Sequence, residues 1–452
     1  METESLELTA AAPAGAIDSQ PLVTEVAGPE WSQAQRITFR FVFAYFALYN
    51  LTVLANTAGS LIPGVTYFIA QYVNLWHVIV PWVGKAVLQL DKPITYFPSG
   101  SGDKTSDYVQ LLCYVAIAVT ATVVWSILDR KRTEYRWLYK CLHVYVRYAV
   151  AFTMLSYGMA KLIKLQFQYP GLSRLLEPLG DFSPMGLLWT FMGYSTPYTF
   201  FAGAAEFAGG MLLFFRRTAT LGAIVTASVM LNVAMMNFAY DVPVKLLATH
   251  LALMCLFLAA HDLGRILNVL VFNRPAPPAD IAPPFERKGL KIARWILKTA
   301  FVGFAVFTNV KGSYEAQFKY GEKAPKPALY GIYEVEEFSR NGAIVPPLVT
   351  DATRWRKVVI QSNTSLGVKM MDDSLRFFQA TYDMPKGSLT LSEGKDKPKH
   401  ELQFSRPDAE HLIIQGSLSG DTLILKTKRI DPNTYRLVNR GFHWINELPF
   451  NR

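Results

Sequence analysis

Seven long stretches of this chain are apolar and nearly free of charge, and they constrain the possible fold more than any other feature. A hydrocarbon core of roughly 30 Å requires about 20 apolar residues in a helix. The stretches are apolar nearly all round rather than along one stripe, which predicts membrane helices instead of buried helices of a soluble protein. The predicted spans are Ile37–Ala55, Tyr108–Leu128, Leu142–Ile163, Thr196–Phe215, Ala219–Ala239, Val244–Leu263 and Ile292–Val310.

Basic residues cluster between these spans on one side of the predicted membrane. The clusters lie at Arg36–Arg40, Arg130–Lys140, Arg216–Arg217 and Arg265–Arg294. Since loops rich in Lys and Arg stay in the cytoplasm, the N-terminus is predicted inside and everything after Val310 outside. Contact with the lipid bilayer explains the net charge of +10 without a nucleic-acid partner. We therefore expect a multi-pass protein of the cell inner membrane.

The sequence divides into three parts with different compositions. Residues 1–30 are rich in Ala and acidic residues and predict a disordered cytoplasmic tail. Residues 31–310 form the predicted transmembrane domain, and residues 325–452 an extracytoplasmic β domain. The segment Leu61–Leu90 is interrupted by Pro and Gly, so it is predicted to lie in the interface or re-enter the membrane. The alternative, an eighth span, would invert every later basic loop.

Short alternating segments fill the last part of the chain and predict an antiparallel barrel or sandwich. The clearest hairpin is expected at Ser419–Asp421, where Gly420 permits a positive φ. The final segment, Arg440–Arg452, is predicted to seal the barrel with Arg440 paired to Glu447; alternatively, its aromatic residues line a binding site. The predicted strands are Lys357–Gln361, Leu366–Met370, Leu375–Tyr382, Ser388–Leu391, Glu401–Phe404, Leu412–Leu418 and Thr422–Lys428.

Polar residues inside the predicted spans are the candidate ligand-binding residues. Glu206 lies midway along its span, where an unpaired carboxylate costs several kcal/mol. Arg147 and Lys161 on the third span are its candidate partners, and Arg147 has the shorter axial offset. Asn232 and His250 add polar groups on the fifth and sixth spans. Two interpretations remain open: a polar pocket that moves protons or holds a quinone-like ring, and a structural ion pair between helices.

The sequence gives no catalytic, dinucleotide-binding or metal-binding motif, so catalytic residues stay unassigned and no metal site is predicted. The three cysteines lie in or beside spans at a spacing that matches no metal or thioredoxin-like motif. They are interpreted as small core residues. The β domain contains no cysteine, so it is expected to fold without a disulfide.

The stretch from about Tyr145 to Leu263 resembles the DoxX family of small membrane proteins. The matching residues are Arg147, the segment GMAKL at 158–162, the segment EFAGGMLL at 206–213, Arg217 and Ala223. The resemblance implies a four-helix core at about 142–264. It also implies a link to membrane redox chemistry, because the namesake is a subunit of a thiosulfate:quinone oxidoreductase. The added spans and the β domain depart from the family pattern.

Two functions are therefore expected from different classes. The first is a component of a quinone-linked membrane redox system, working with a redox partner subunit, in which Glu206 handles protons. The second is a non-enzymatic transporter or envelope scaffold whose β domain binds a partner or an apolar ligand.

Overall fold

The computed structural model describes residues 30–59, 62, 64–97, 100, 102–279, 287–394 and 396–451, apart from the side chains of residues 57 and 58. The expected cytoplasmic tail at 1–30 lies outside this range except for Glu30. The described chain has two parts. A helical unit covers residues 33–319, and a β unit covers residues 331–430.

The helical unit contains the following helices: α1 Gln33–Tyr49, α2 Leu51–Gly59, α3 Val65–Trp82, α4 Thr105–Leu128, α5 Arg136–Leu162, α6 Leu172–Leu176, α7 Pro184–Tyr194, α8 Thr196–Leu213, α9 Ala219–Ala239, α10 Lys245–Ala260, α11 Leu263–Leu270 and α12 Lys288–Lys319. A π-helical turn, Val83–Val87, extends α3.

Four helices form a closed bundle at the centre of the helical unit. Helix α5 packs on α8, α8 on α9, α9 on α10, and α10 returns to α5. Apolar side chains from all four, including Val150, Leu213, Met230 and Met254, fill the core between these helices. Helices α1 and α12 pack on the outside of α5, and α1 also contacts α4. The four helices of this bundle lie within residues 136–260.

On length and composition, two described helices, α4 and α9, are able to cross a membrane. The pair α10–α11 adds a third if its bend of 81° lies within one span. The prediction of seven spans is therefore not supported. The first predicted span breaks at Asn50, where α1 ends and α2 begins. Charges at Arg147 and Lys161 in α5, and at Glu206 in α8, lower the mean hydropathy of two others.

The β unit is a closed barrel, which decides between the predicted barrel and sandwich. Its strands are β1 Gly331–Arg340, β2 Ala343–Ile344, β3 Trp355–Ser362, β4 Ser365–Met370, β5 Leu375–Asp383, β6 Ser388–Ser392, β7 Lys399–Ser405, β8 His411–Leu418 and β9 Asp421–Ile430. Consecutive strands pair antiparallel from β3 to β9, and β1 joins β3 to β9. Eight strands close the barrel, and β2 is a short extension beside β1.

Strands β3 to β9 confirm the seven predicted strands, whereas β1 and β2 were not predicted. The alternation along β1 is interrupted by a bulge between Val335 and Glu337, which shifts the later side chains by one position. A period of two is therefore absent from this stretch of sequence. The predicted hairpin at Ser419–Asp421 is confirmed, and its turn residues Ser419 and Gly420 have positive φ, 53° and 93°.

The seam between β1 and β9 carries a polar clasp. Arg340 donates to the Asp421 carboxylate, and Asn341 donates to the same carboxylate at 2.8 Å. Asn341 in turn accepts from the Thr422 backbone N–H at 2.9 Å. Hydrogen bonds from Arg340 and then Asn341 hold the pKa of Asp421 below its usual range.

The barrel docks on the helical unit through the segment that follows α5. Leu172 and Leu176 of α6 pack against Ile332 and Val359 of the barrel. Lys369 donates to the carbonyl of Leu176 at 2.7 Å. The two units therefore share a small apolar contact with a polar edge.

The C-terminal segment does not seal the barrel as predicted. Arg440 donates to Asn446 at 2.5 Å instead of pairing with Glu447. Phe442 and Trp444 are 81% and 88% exposed. The barrel needs no such seal because its own side chains, such as Leu366, fill the interior.

A fragment of residues 325–452 is expected to fold alone as a β protein, because the barrel closes around its own core. In this fragment Leu425→Ala should lower the free energy of unfolding by about 3 kcal/mol, since Leu425 is fully buried. Its neighbour Ile424 is 36% exposed, and Ile424→Ala should cost about 1 kcal/mol or less. Circular dichroism and urea unfolding check both values. A helical spectrum, or equal losses in the two variants, would contradict the barrel register.

The Asp421 carboxylate of this clasp is expected to make the stability of the barrel depend on pH. Because the folded pKa of Asp421 is depressed, its contribution to stability is present above the unfolded pKa of about 4 and is lost as the pH falls through the folded pKa. Thermal melting of the fragment at pH 7 and pH 3 should therefore show a smaller difference for Asp421→Asn than for the parent. Equal differences would exclude a role of this carboxylate.

Candidate functional site

Helices α5 and α8 approach until their backbones touch, because glycines line the contact. A Cβ atom on Gly158 would lie 2.7 Å from the backbone N of Phe207, and one on Gly203 would lie 2.9 Å from the carbonyl O of Gly158. Gly210 meets the carbonyl of Ala151 in the same way, at 3.0 Å. Small residues are what allow such an approach between membrane helices.

This approach brings Lys161 and Glu206 together inside the bundle. The Nζ of Lys161 donates to both carboxylate oxygens of Glu206, each at 2.8 Å. Both side chains are buried. The rings of Tyr157 and Phe167 each have their centroid 5.8 Å from the same Nζ. The prediction that Glu206 pairs across the third and fourth spans is thus met by Lys161.

Arg147 is not the partner of Glu206. It precedes Lys161 by 14 residues on the same helix, which corresponds to roughly 21 Å along the axis at 1.5 Å per residue. The shorter axial offset expected for Arg147 was wrong, because the contact between Gly158 and Phe207 places Glu206 beside the C-terminal end of α5, where Lys161 lies. The buried pair and Arg147 are therefore two separate polar sites.

Arg147 lines a cavity of about 550 Å³ at the other end of the bundle. The cavity lies among α5, the turn between α8 and α9, and the α10–α11 bend. Arg147 is 5% exposed, and its Nε has no hydrogen-bond partner among the described residues. Four further cationic side chains line the same cavity: Lys140, Arg216, Arg217 and Arg265.

Among the described residues, Asp262 is the one acidic residue that lines this cavity, and its carboxylate is already hydrogen-bonded. Arg265 donates to Asp262 at 2.9 Å, and the Thr220 hydroxyl donates to its other oxygen. Apolar side chains such as Ile224 and Val269 form the rest of the wall. The cavity is therefore cationic and partly apolar, which suits a ligand with a negative head and an apolar body.

Two histidines share this cavity. The rings of His143 and His261 lie 5.0 Å apart, and Tyr139 lies 5.6 Å from His261. His143 has one ring nitrogen 3.3 Å from the carbonyl of Leu258. These side chains supply further hydrogen-bonding groups beside the cations.

The remaining predicted site residues lie elsewhere. His250 is buried between α10 and α1, where its ring nitrogens lie 2.6 Å from the Tyr45 hydroxyl and 2.6 Å from the carbonyl of Leu246. It also stacks on Tyr49 at 4.3 Å, so it acts in packing. Asn232 is exposed on α9 and does not join the others. It was wrongly expected to face a pocket.

Sequence reasoning missed the cavity itself. His143, His261 and the pair Arg216–Arg217 were visible in the sequence, but they were interpreted as interface residues or topology signals. The sharp bend between α10 and α11 brings Arg265 back toward α5. No residue pattern in the sequence predicted that bend. Among the described residues, no group of three or more His, Cys, Asp or Glu side chains could hold a metal ion.

The buried pair predicts a strong dependence of stability on both partners. In detergent, Glu206→Gln should destabilise the protein by about 3–5 kcal/mol, because it leaves the Lys161 ammonium buried without a counter-charge. Adding Lys161→Gln should restore much of the loss. Thermal melting measured in detergent tests both steps.

A matched control is the exposed pair Lys245–Asp241, whose Asp241 carboxylate is 87% exposed. Asp241→Asn should cost about 1 kcal/mol or less, because exposed ion pairs contribute little. A Glu206→Gln variant that melts like the parent would show that the pair does not hold α5 against α8.

Comparison with known proteins gives one informative relative. The uncharacterized protein YwoB of Bacillus subtilis (strain 168) is 32% identical over 125 residues, which make up 27% of this chain and 78% of YwoB. No family model matches the chain, and no solved structure matches it. Since the alignment covers most of YwoB, the chain belongs, through about a quarter of its length, to the family of YwoB.

Proposed function

We propose that this chain is a multi-pass membrane protein that binds an amphiphile with an anionic head in the cavity around Arg147. The observation that carries the proposal is the buried Arg147 guanidinium, whose Nε is unpartnered within a cavity lined by four more cations. A buried arginine is costly unless an anion approaches it. A phosphate or carboxylate head matches guanidinium donors in charge and geometry.

The outward faces of the bundle support a membrane setting for this site. Phe201 on α8, Met235 on α9 and Val123 on α4 are each more than half exposed, along with many other large apolar residues. Apolar surface of that extent suits lipid better than water. In this proposal α5 and α8 also cross the membrane, because Lys161 and Glu206 neutralise each other inside the bundle.

The positive-inside rule supports a cytoplasmic position for the proposed site. The cavity lies beside the basic clusters that predict the inner side of the membrane, whereas the barrel follows α12 on the opposite side. An apolar tail would then extend along the exposed helix faces while the head contacts Arg147. A lipid-binding scaffold or transporter agrees with this geometry, and the proposed localisation is the cell inner membrane.

A quinone is the second candidate ligand, and one observation favours it. His143 and His261 lie 5.0 Å apart beside Tyr139, so together they offer hydrogen-bonding groups to one polar edge of a quinone ring. The redox function implied by the DoxX resemblance would then act through this cavity. Glu206 is less suited to that role, because Lys161 occupies both of its carboxylate oxygens.

The test measures ligand-induced stabilisation of the detergent-solubilised, delipidated protein. We expect phosphatidylglycerol to raise the melting temperature, phosphatidylcholine to have little effect, and Arg147→Gln to remove most of the stabilisation. Arg174→Gln is the matched control, since it removes one charge at the opposite end of the bundle, where Arg174 is paired with Glu177.

The other arms of the experiment separate the possible ligands. Stabilisation by inorganic phosphate equal to that by phosphatidylglycerol would identify a free anion as the ligand instead of a lipid. Stabilisation by ubiquinone alone, lost in His143→Ala, would favour the quinone. An equal response of the Arg147→Gln variant and the parent to phosphatidylglycerol would contradict the proposed site.

A further inference from the structure

The C-terminal segment after the barrel has an unusual distribution of polar and apolar groups. Its polar side chains bond one another: Arg440 donates to Asn446 at 2.5 Å, and Asn446 donates to the carbonyl of His443 at 3.2 Å. Its apolar side chains point away from the protein. Five are exposed, at 81% for Phe442, 88% for Trp444, 74% for Ile445, 77% for Leu448 and 49% for Phe450.

This arrangement is the reverse of a water-facing loop. On a soluble surface the polar atoms of a loop face solvent and its large apolar chains pack inward. Here residues 440–450 form a compact loop around Arg440, which also lies 4.6 Å from the Phe450 ring centroid. Gly441 has a φ of +63°, which an L side chain rarely adopts, and it allows the chain to turn at this point.

The position of the loop identifies what it faces. Strand β9 ends where β1 begins, with Ile430 paired to Ile332, so the chain leaves the barrel beside the point where it enters from α12. Tyr435, shortly before the loop, packs against the cluster that Leu172 and Leu176 of α6 form with Ile332 and Val359 of the barrel. The loop therefore starts at the interface between the barrel and the helical unit, on the side of the barrel that faces the bundle.

We propose that residues 440–450 form an anchor in the outer membrane–water interface, with the bilayer surface as its partner. The inference rests on the proposed membrane setting of the helical unit. Trp and other aromatic residues favour this interface. The segment 436–452 contains three arginines and one glutamate in the sequence, a balance that suits anionic lipid. The anchor would give the barrel a second attachment besides the α6 contact.

The test uses nitroxide labels on the full chain in phosphatidylglycerol-containing liposomes. Labels are attached at single cysteines in a background that carries Cys113→Ala, Cys141→Ala and Cys255→Ala. Trp444→Cys reports on the proposed anchor. Val123→Cys on the exposed face of α4 reports on lipid, and Lys386→Cys, at a side chain that is 78% exposed on the barrel, reports on water.

Accessibility to oxygen, which concentrates in lipid, is compared with accessibility to a water-soluble nickel chelate. The label at 444 should give an oxygen-to-nickel ratio at least threefold above that at 386 and below that at 123. Adding Phe442→Asp should move the ratio toward the water value. Because the Trp444 side chain is exposed, a label at this position should not disturb folding. Circular dichroism of the labelled protein checks this.

The outcomes separate the anchor from the membrane setting on which it rests. If the label at 444 is as accessible to the nickel chelate as the label at 386, while the label at 123 lies in lipid, the proposed anchor is wrong but the membrane setting stands. Nickel access at 123 would overturn the membrane setting and the anchor with it. A label at 444 shielded from both reagents, with broadening by a second spin, would identify a second copy of the chain as the partner and overturn the anchor.

Discussion

The contact between α5 and α8 determines the arrangement of the helical unit. Gly158 and Gly203 let the two backbones touch, and at that distance the Lys161 ammonium reaches both oxygens of Glu206. Without the glycines, the pair could not form at 2.8 Å. Without the pair, each charge would be buried alone at a cost of several kcal/mol. Close packing of the two helices and neutralisation of the two charges therefore depend on each other. Helices α9 and α10 complete the four-helix bundle.

The sequence identified the charged residues of this pair more readily than the alignment of α8 along α5 that brings them together. Glu206 required a buried cation, and α5 offered Arg147 and Lys161. The choice between them depends on how far α8 slides along α5, which side-chain volumes at the contact decide. The cavity around Arg147 was harder to foresee, because its wall combines three separate regions of the chain. A bend of 81° between α10 and α11 brings one of them into place.

The barrel shows the same division between local and long-range information. Strands β3 to β9 follow a period of two, so alternation alone identifies them. Strand β1 has a bulge at Val335 that interrupts the alternation, so it was not predicted from the sequence. Its pairing with β9 nevertheless closes the barrel. The prediction of seven spans is not supported for a related reason. It was made from apolar runs along the sequence, whereas α5 and α8 also contain Lys161 and Glu206, which are buried as a pair.

The pairing of β1 with β9 also orders events during synthesis. Some 80 residues separate the two strands, which are the first and last of the barrel to be made. The seam cannot form until Asp421–Ile430 has left the ribosome, and by then every helix from α1 to α12 has been translated. Since chains fold from the N-terminus as they emerge, the bundle is in place while the barrel is still open. The bundle then holds the start of β1 fixed through α12, which shortens the search that strand β9 makes for its partner.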